Sequence, residues 1–190
     1  IDRCGKVANM TYSETVKSHK STDYQTPKEF YDKLNNIFNF SLDPCTTPDN
    51  PLHTEYFFTK EYDGLTKLWP CNTFINPPFG RGISRWLYHM YSQATINEDK
   101  KYVMLLPAKT DTQWFQDMIM KNFRDDSCIY LLKGRLKFKN PELNSNNQPH
   151  VFGSMLWIMN ANDKDKYELM RDIPGILINN WLSFENVDKH

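Results

Sequence analysis

The apolar run Tyr102 to Leu106 follows directly on a helical pattern carried by Ile83, Trp86, Leu87, Met90 and Tyr91, and this pairing most constrains the fold. A continuous apolar run of that length marks a strand buried on both faces, which requires helices packed on each side of its sheet. The same alternation repeats along the chain. Phe40 to Asp43 and Thr73 to Asn76 read as short strands, Ser127 to Leu132 as a second doubly buried strand, and Gly153 to Met159 as the last one. Phe30, Leu34, Ile37 and Phe38 follow a helix start at Thr26-Pro27-Lys28-Glu29. There Thr26 would cap, Pro27 take the first helical position and Glu29 close a capping box. Trp114, Phe115, Met118 and Ile119 mark a helix capped by Thr110 or Asp111, and Tyr167 to Met170 a weak one, while Cys45 to Trp69 is turn-rich with two or three short elements at most. Such alternation predicts an α/β fold with a largely parallel sheet, in which ligands sit beyond the carboxyl ends of the strands.

At 190 residues the chain predicts one domain over residues 22–190 behind a polar, flexible N-terminal arm of residues 1–21, in which Met10 could be the natural start. Its apolar runs are too short to cross a bilayer, and its first residues lack a secretion pattern, so a cytoplasmic location is expected. The cysteines, Cys4, Cys45, Cys71 and Cys128, form no CxxC pair, and His53 completes no ligand spacing, which predicts reduced thiols and no metal. Basic and acidic residues number 23 each. A polyanionic partner would therefore have to be held by segregated charge instead of excess charge.

The strand ends Asp43-Pro44-Cys45, Asn76-Pro77-Pro78-Phe79 and Pro107-Ala108-Lys109-Thr110-Asp111 are the places to look for chemistry. An Asn at a strand end, followed by two prolines that remove both backbone donors and then by an aromatic residue, makes a rigid bend rich in acceptors. It can be a strand-terminating turn. It can also serve transfer of a group to an amine, because the lone pair of a nucleobase amine is delocalised into its ring. The Asn76 side chain and the Pro77 carbonyl could hold the two amine hydrogens and aim the lone pair at a methyl donor, with Phe79 stacked on the base.

These residues resemble the phage-type DNA adenine methyltransferases of the Dam family. Asn76-Pro77-Pro78-Phe79 matches the (Asp/Asn/Ser)-Pro-Pro-(Tyr/Phe/Trp) motif of amino-methyltransferases in general. The phage-type resemblance runs through Tyr24 to Glu29, Leu42 to Pro48, Tyr62 to Leu65, Trp69, Ile75 to Trp86, Leu105 to Phe115, Gly134 to Phe138 and Ser154 to Leu156. It implies a Rossmann-like class I methyltransferase fold, reduced in size, that uses S-adenosylmethionine to methylate adenine in double-stranded DNA after flipping the base. Phage or prophage origin, a role in restriction-modification and a bacterial host cytoplasm go with that family. Tyr24, Thr26 and Pro27 would line the methionine end of the cofactor, Asp43 and Cys45 the donor pocket, and Asp63 with Gly64 the adenine end. Thr26-Pro27 is equally explained as a helix cap, and Asp63-Gly64 as a turn. The chain has no GxGxxG, only 32 residues separate the first strand end from the motif, and Gln148 to Gly153 departs from the family's proline-containing loop. Transfer to a cytosine amine or to RNA, or a catalytically silent DNA-binding module, are the alternatives.

One substrate-side feature is independent of the resemblance. In an extended chain Lys133, Arg135, Lys137 and Lys139 would share one face, with Leu136 and Phe138 on the other. Such a ribbon could track phosphates or protect an edge strand from aggregation. Asn144 to His150 follow as a loop that could reach a groove. Arg81, Lys109 and Asp111 fall beside the motif, where they could contact the target nucleotide, and Lys109 and Asp111 could equally cap a helix.

Overall fold

The structure is a computed structural model and describes residues 25–80, 82–122, 126–138 and 152–179. The expected N-terminal arm, Tyr24, Arg81, Lys139 and the 144–150 loop lie outside them. The elements are α1 (Lys28–Phe38), β1 (Leu42–Asp43), β2 (Tyr56–Phe57), β3 (Thr73–Ile75), α2 (Ile83–Ile96), β4 (Tyr102–Pro107), β5 (Ser127–Leu132), β6 (Ser154–Met159), α3 (Asp163–Asp172) and β7 (Gly175–Asn179). A 3₁₀ turn at Gly64–Thr66 and a π-helix at Trp114–Met120 complete the set.

One seven-stranded sheet runs in the order β2-β1-β3-β4-β6-β5-β7. The first four strands pair in parallel, β6 runs against both β4 and β5, and β7 runs against β5. Five of the seven strands, β1 to β5, therefore share one direction, which gives the expected Rossmann-like α/β architecture. Alternate residues of β4 and β6 face opposite layers. Tyr102, Met104, Leu106, Met155, Trp157 and Met159 pack beneath α2 and the π-helix. Val103, Leu105, Leu156 and Ile158 pack against α1 and α3. Burial on both faces is why these strands read as unbroken apolar runs.

Several local expectations give way to longer-range contacts. Helix α1 begins at Lys28 with Pro27 at its cap and no side-chain cap bond, because the Pro27 carbonyl itself accepts from the N–H groups of Phe30 and Tyr31. Its buried face is Tyr31, Leu34, Ile37 and Phe38, with Phe30 only half-buried. Neither Thr110 nor Asp111 caps the next helix, which starts at Trp114 behind Gln113 and winds in the wider π manner. Helix α3 starts earlier than its weak pattern suggested, at Asp163, where Asn162 and Asp165 form a reciprocal capping box. The last strand is β7, not β6: Gly175 to Asn179 adds to β5 in register Leu132 to Gly175. Cys45 and Cys128 are reduced thiols as expected, whereas Cys71 is disulfide-bonded, which corrects the expectation that every cysteine is reduced.

The loop before β3 is anchored by Trp69, fully buried, stacked on Trp86 at 6.2 Å and donating from its indole to the Gly64 carbonyl at 3.0 Å. This draws Gly64 onto the end of β1 so closely that a Cβ there would lie 2.0 Å from the Pro44 carbonyl oxygen. Gly64→Ala must push the two segments apart. Overpacking of this kind costs about 1–3 kcal/mol, so thermal unfolding should begin from a midpoint lower by about 2–4 °C for each of them. An unaltered midpoint would mean that the close approach is not a packing constraint.

Candidate active site

Strand order reverses at β1, which has β2 on one side and β3 on the other. The crevice at the carboxyl ends of two such strands is where open α/β sheets hold their ligands. Here it is flanked by Asp43 at the end of β1 and Asn76 directly after β3.

Asp43 is 4% exposed. Its carboxylate accepts from the Cys45 backbone N–H at 3.1 Å and from the side chains of Thr46 and Cys45. Burial pushes its pKa up to about 7, against the pull of those hydrogen bonds. Tyr31, on α1, is itself raised, first by burial and then by the Asp43 charge, so the phenol and the carboxyl share one low-dielectric pocket. Asp63 sits at φ 40°, and its Oδ1 accepts from the Leu65 N–H at 3.2 Å. This is the expected turn, and it leaves Oδ2 as a second acceptor. Through the Gly64–Pro44 approach the turn is held against the end of β1.

Asn76 is half-buried and its Nδ2 donates to Thr26 Oγ1 at 3.0 Å, across 50 residues of sequence. Thr26, 7% exposed, is thus not a helix cap but the partner of the motif asparagine. With Nδ2 committed, the amide plane is set and Oδ1 is its accepting end. Pro77 is buried, Pro78 exposed, and Phe79 half-buried against the Trp86 side of the core. Gly80 follows at φ +149°, a backbone that favours glycine and turns the chain toward α2.

Because β1 to β5 share a direction, their carboxyl ends lie along one edge of the sheet. Walking it, Asp43 comes first, then Asn76, then Lys109 after β4, then the start of β6, then Lys133 after β5. Lys109 Nζ lies 3.9 Å over the ring of Phe152, a partner on the β6 side that sequence reasoning missed. Asp111 is exposed and makes no cap. Beyond β5, Gly134 takes φ +86°, and then Arg135 and Lys137 are exposed while Leu136 is half-buried and Phe138 buried. The expected alternation is present from Arg135 to Phe138. Among the described residues the segment is no strand of the seven-stranded sheet, whose edges are β2 and β7, although Lys137 forms an isolated bridge.

The structure therefore brings Thr26, Asp43, Cys45, Asn76 and the Pro44–Gly64 contact to one crevice and strings Lys109, Lys133, Arg135 and Lys137 along the same edge. Tyr31 and Thr46 belong to the crevice as well. Sequence reasoning missed both: the spacing of Tyr31 from Leu34 and Phe38 marks only the buried face of α1, and Thr46 carried no signal. Among the described residues no group of His, Cys, Asp or Glu could hold a metal, and no helix is long and apolar enough to cross a membrane.

Comparison with solved structures gives a similarity to the crystal structure of protein LPL1258 from Legionella pneumophila str. Philadelphia 1, of family DUF519, at 19% identity and a TM-score of 0.43. The match covers 68% of this chain and 54% of that one, so the chain spans about half the length of this relative. No curated protein matches. The model of the family described as DNA N-6-adenine-methyltransferase (Dam) matches residues 12–172, and the chain, with its Asn-Pro-Pro-Phe element at the sheet's reversal point, belongs to that family.

Proposed function

We propose that this chain transfers a methyl group from S-adenosylmethionine to the exocyclic amine of adenine in double-stranded DNA, on a base flipped out of the helix. The observation that carries the reading is the Asn76–Thr26 pair at the β1/β3 crevice, beside the buried carboxyl of Asp43. The crevice fits the donor, since a buried carboxyl complements a cation and the second oxygen of Asp63 can accept from an adenine amine. Asp43 and Cys45 would hold the donor end, Asp63 and Gly64 the adenine end, and Pro27 with Tyr24 the methionine end. When bound, the cofactor supplies an electrophilic methyl on a sulfonium.

The chain's own groups do the rest. Asn76 Oδ1 and the Pro77 carbonyl accept the two amine hydrogens and turn the nitrogen lone pair out of conjugation toward the donor. Phe79 and Pro78 provide the stacking surface for the base. No strong base is needed, because the amine becomes acidic only as the methyl arrives. Lys109, Lys133, Arg135 and Lys137 would meet phosphates, and their grouping after β4 and β5 would give a chain of zero net charge the segregated basic surface that a polyanion needs.

Thr26 has two candidate duties, and kinetics separate them. If its hydroxyl orients Asn76, Thr26→Val should slow transfer about three- to tenfold, the worth of one hydrogen bond, with the KM for S-adenosylmethionine unchanged and Thr26→Ser close to normal. A rise in that KM with an intact kcat would assign Thr26 to the cofactor instead. The function itself is tested by incubating the protein with methyl-labelled S-adenosylmethionine and duplex DNA, then digesting the product to nucleosides. N6-methyladenine is expected. Label in methylcytosine would correct the base, label in RNA alone the substrate, and donor binding without transfer to any nucleic acid would make the chain a silent module.

A further inference from the structure

A groove of about 530 Å³ opens between the first turns of α1 and the segment after β5. Its rims carry Lys28 and Lys33 on the α1 side and Lys133, Arg135 and Lys137 on the other, with Glu29 the one acidic side chain among the lining residues. Phe30 and Leu136 contribute to its apolar floor, each half-buried. Pro27 also lines it, one residue from the Thr26 hydroxyl that holds Asn76. The groove therefore begins at the candidate active site and leads away along the basic end of the carboxyl edge.

We propose that this groove holds the phosphodiester backbone of the DNA flanking the target adenine, with Lys28 and Lys33 of α1 as a second row of phosphate contacts facing Lys133, Arg135 and Lys137. The inference deepens the function proposed above and rests on it. Charge complementarity selects the occupant: five cations line the trough against one lining carboxylate, Glu29, with Asp32 and Asp172 beside Lys28 and Lys33 at its margin, and the polyanion implied by the family is the substrate itself. Lys28 is paired with Asp32 at 2.7 Å on the open surface, a bond weak enough in water to exchange for a phosphate. Geometry sets the reach. Three strand spacings separate β3 from β5, roughly 14 Å, which is about four phosphate steps along one DNA strand.

The test is duplex binding and methylation by the full chain with Lys28→Gln and Lys33→Gln together. Two lost phosphate contacts should flatten the slope of log affinity against log salt by about 1.8. Affinity for S-adenosylmethionine should stay unchanged, and so should the relative rates on different sequences, because phosphate contacts position without reading bases. A control with Lys100→Gln and Lys164→Gln should match wild type. A duplex series provides a second readout: trimming one flank to fewer than about four base pairs should weaken wild type but not the double variant. A wild-type salt slope and flank dependence in the double variant would overturn the groove assignment while leaving methylation intact. A wild-type protein that neither binds nor methylates duplex DNA would overturn the underlying function. An acidic peptide bound by wild type and lost in the double variant, with DNA binding intact, would give the groove to a protein partner and overturn the proposal.

Discussion

Asn76→Ala is expected to slow methyl transfer to duplex DNA by about a hundredfold or more, since one preorganised polar partner of a developing charge is typically worth that much. Affinity for S-adenosylmethionine should barely move. The amine nitrogen gains positive character only as the new bond forms, so acceptors aimed at its hydrogens act mainly in the transition state, and their loss falls on kcat. Asn76→Asp makes the test sharper. A carboxylate still accepts, but it has no N–H to donate to Thr26, so the 3.0 Å bond seen here can be kept only by turning the hydroxyl round to donate, at the expense of one acceptor lone pair. Its rate should fall between wild type and alanine. Single-turnover transfer of labelled methyl groups measures all three, and a near-normal rate for the alanine variant would remove Asn76 from the chemistry.

The elements most legible in the sequence are those whose signal is local. Tyr102 to Leu106 and Ser127 to Leu132 read as doubly buried strands because their runs are almost wholly apolar, and the structure places them at β4 and β5. Asn76-Pro77-Pro78-Phe79 stood out because two prolines after a strand leave the backbone few choices. What escaped was decided by distant partners. Thr26 satisfied every local rule for a helix cap, yet its hydroxyl serves an asparagine 50 residues on, and Pro27 caps with its own carbonyl. The strand Gly175 to Asn179 is short and half-exposed, and only the open edge of β5 turns it into β7. Lys28 and Lys33 carry no sequence signal of their own, and only the fold lines one groove with them and with Lys133 and Arg135.

Asp43 should make donor binding depend on pH in a definite direction. Its ordinary pKa of 3.8 is raised to about 7 by burial, so between those values the empty protein holds a proton that the unfolded chain has released. By linkage this contribution to stability falls as pH rises from about 4 to about 7 and is level above. A cationic donor beside the carboxyl favours its ionised form and must displace that proton. Affinity for S-adenosylmethionine is therefore expected to climb up to about tenfold per pH unit below 7 and to flatten above it, with close to one proton released on binding at acidic pH. Asp43→Asn removes both effects at once: the acid-side rise in affinity disappears, binding is weak at every pH, and unfolding loses its slope between pH 4 and 7. Calorimetry in buffers of different ionisation enthalpy counts the proton directly. Tight, pH-independent binding by Asp43→Asn would reduce Asp43 to the turn it forms with Cys45 and move the donor elsewhere along the edge.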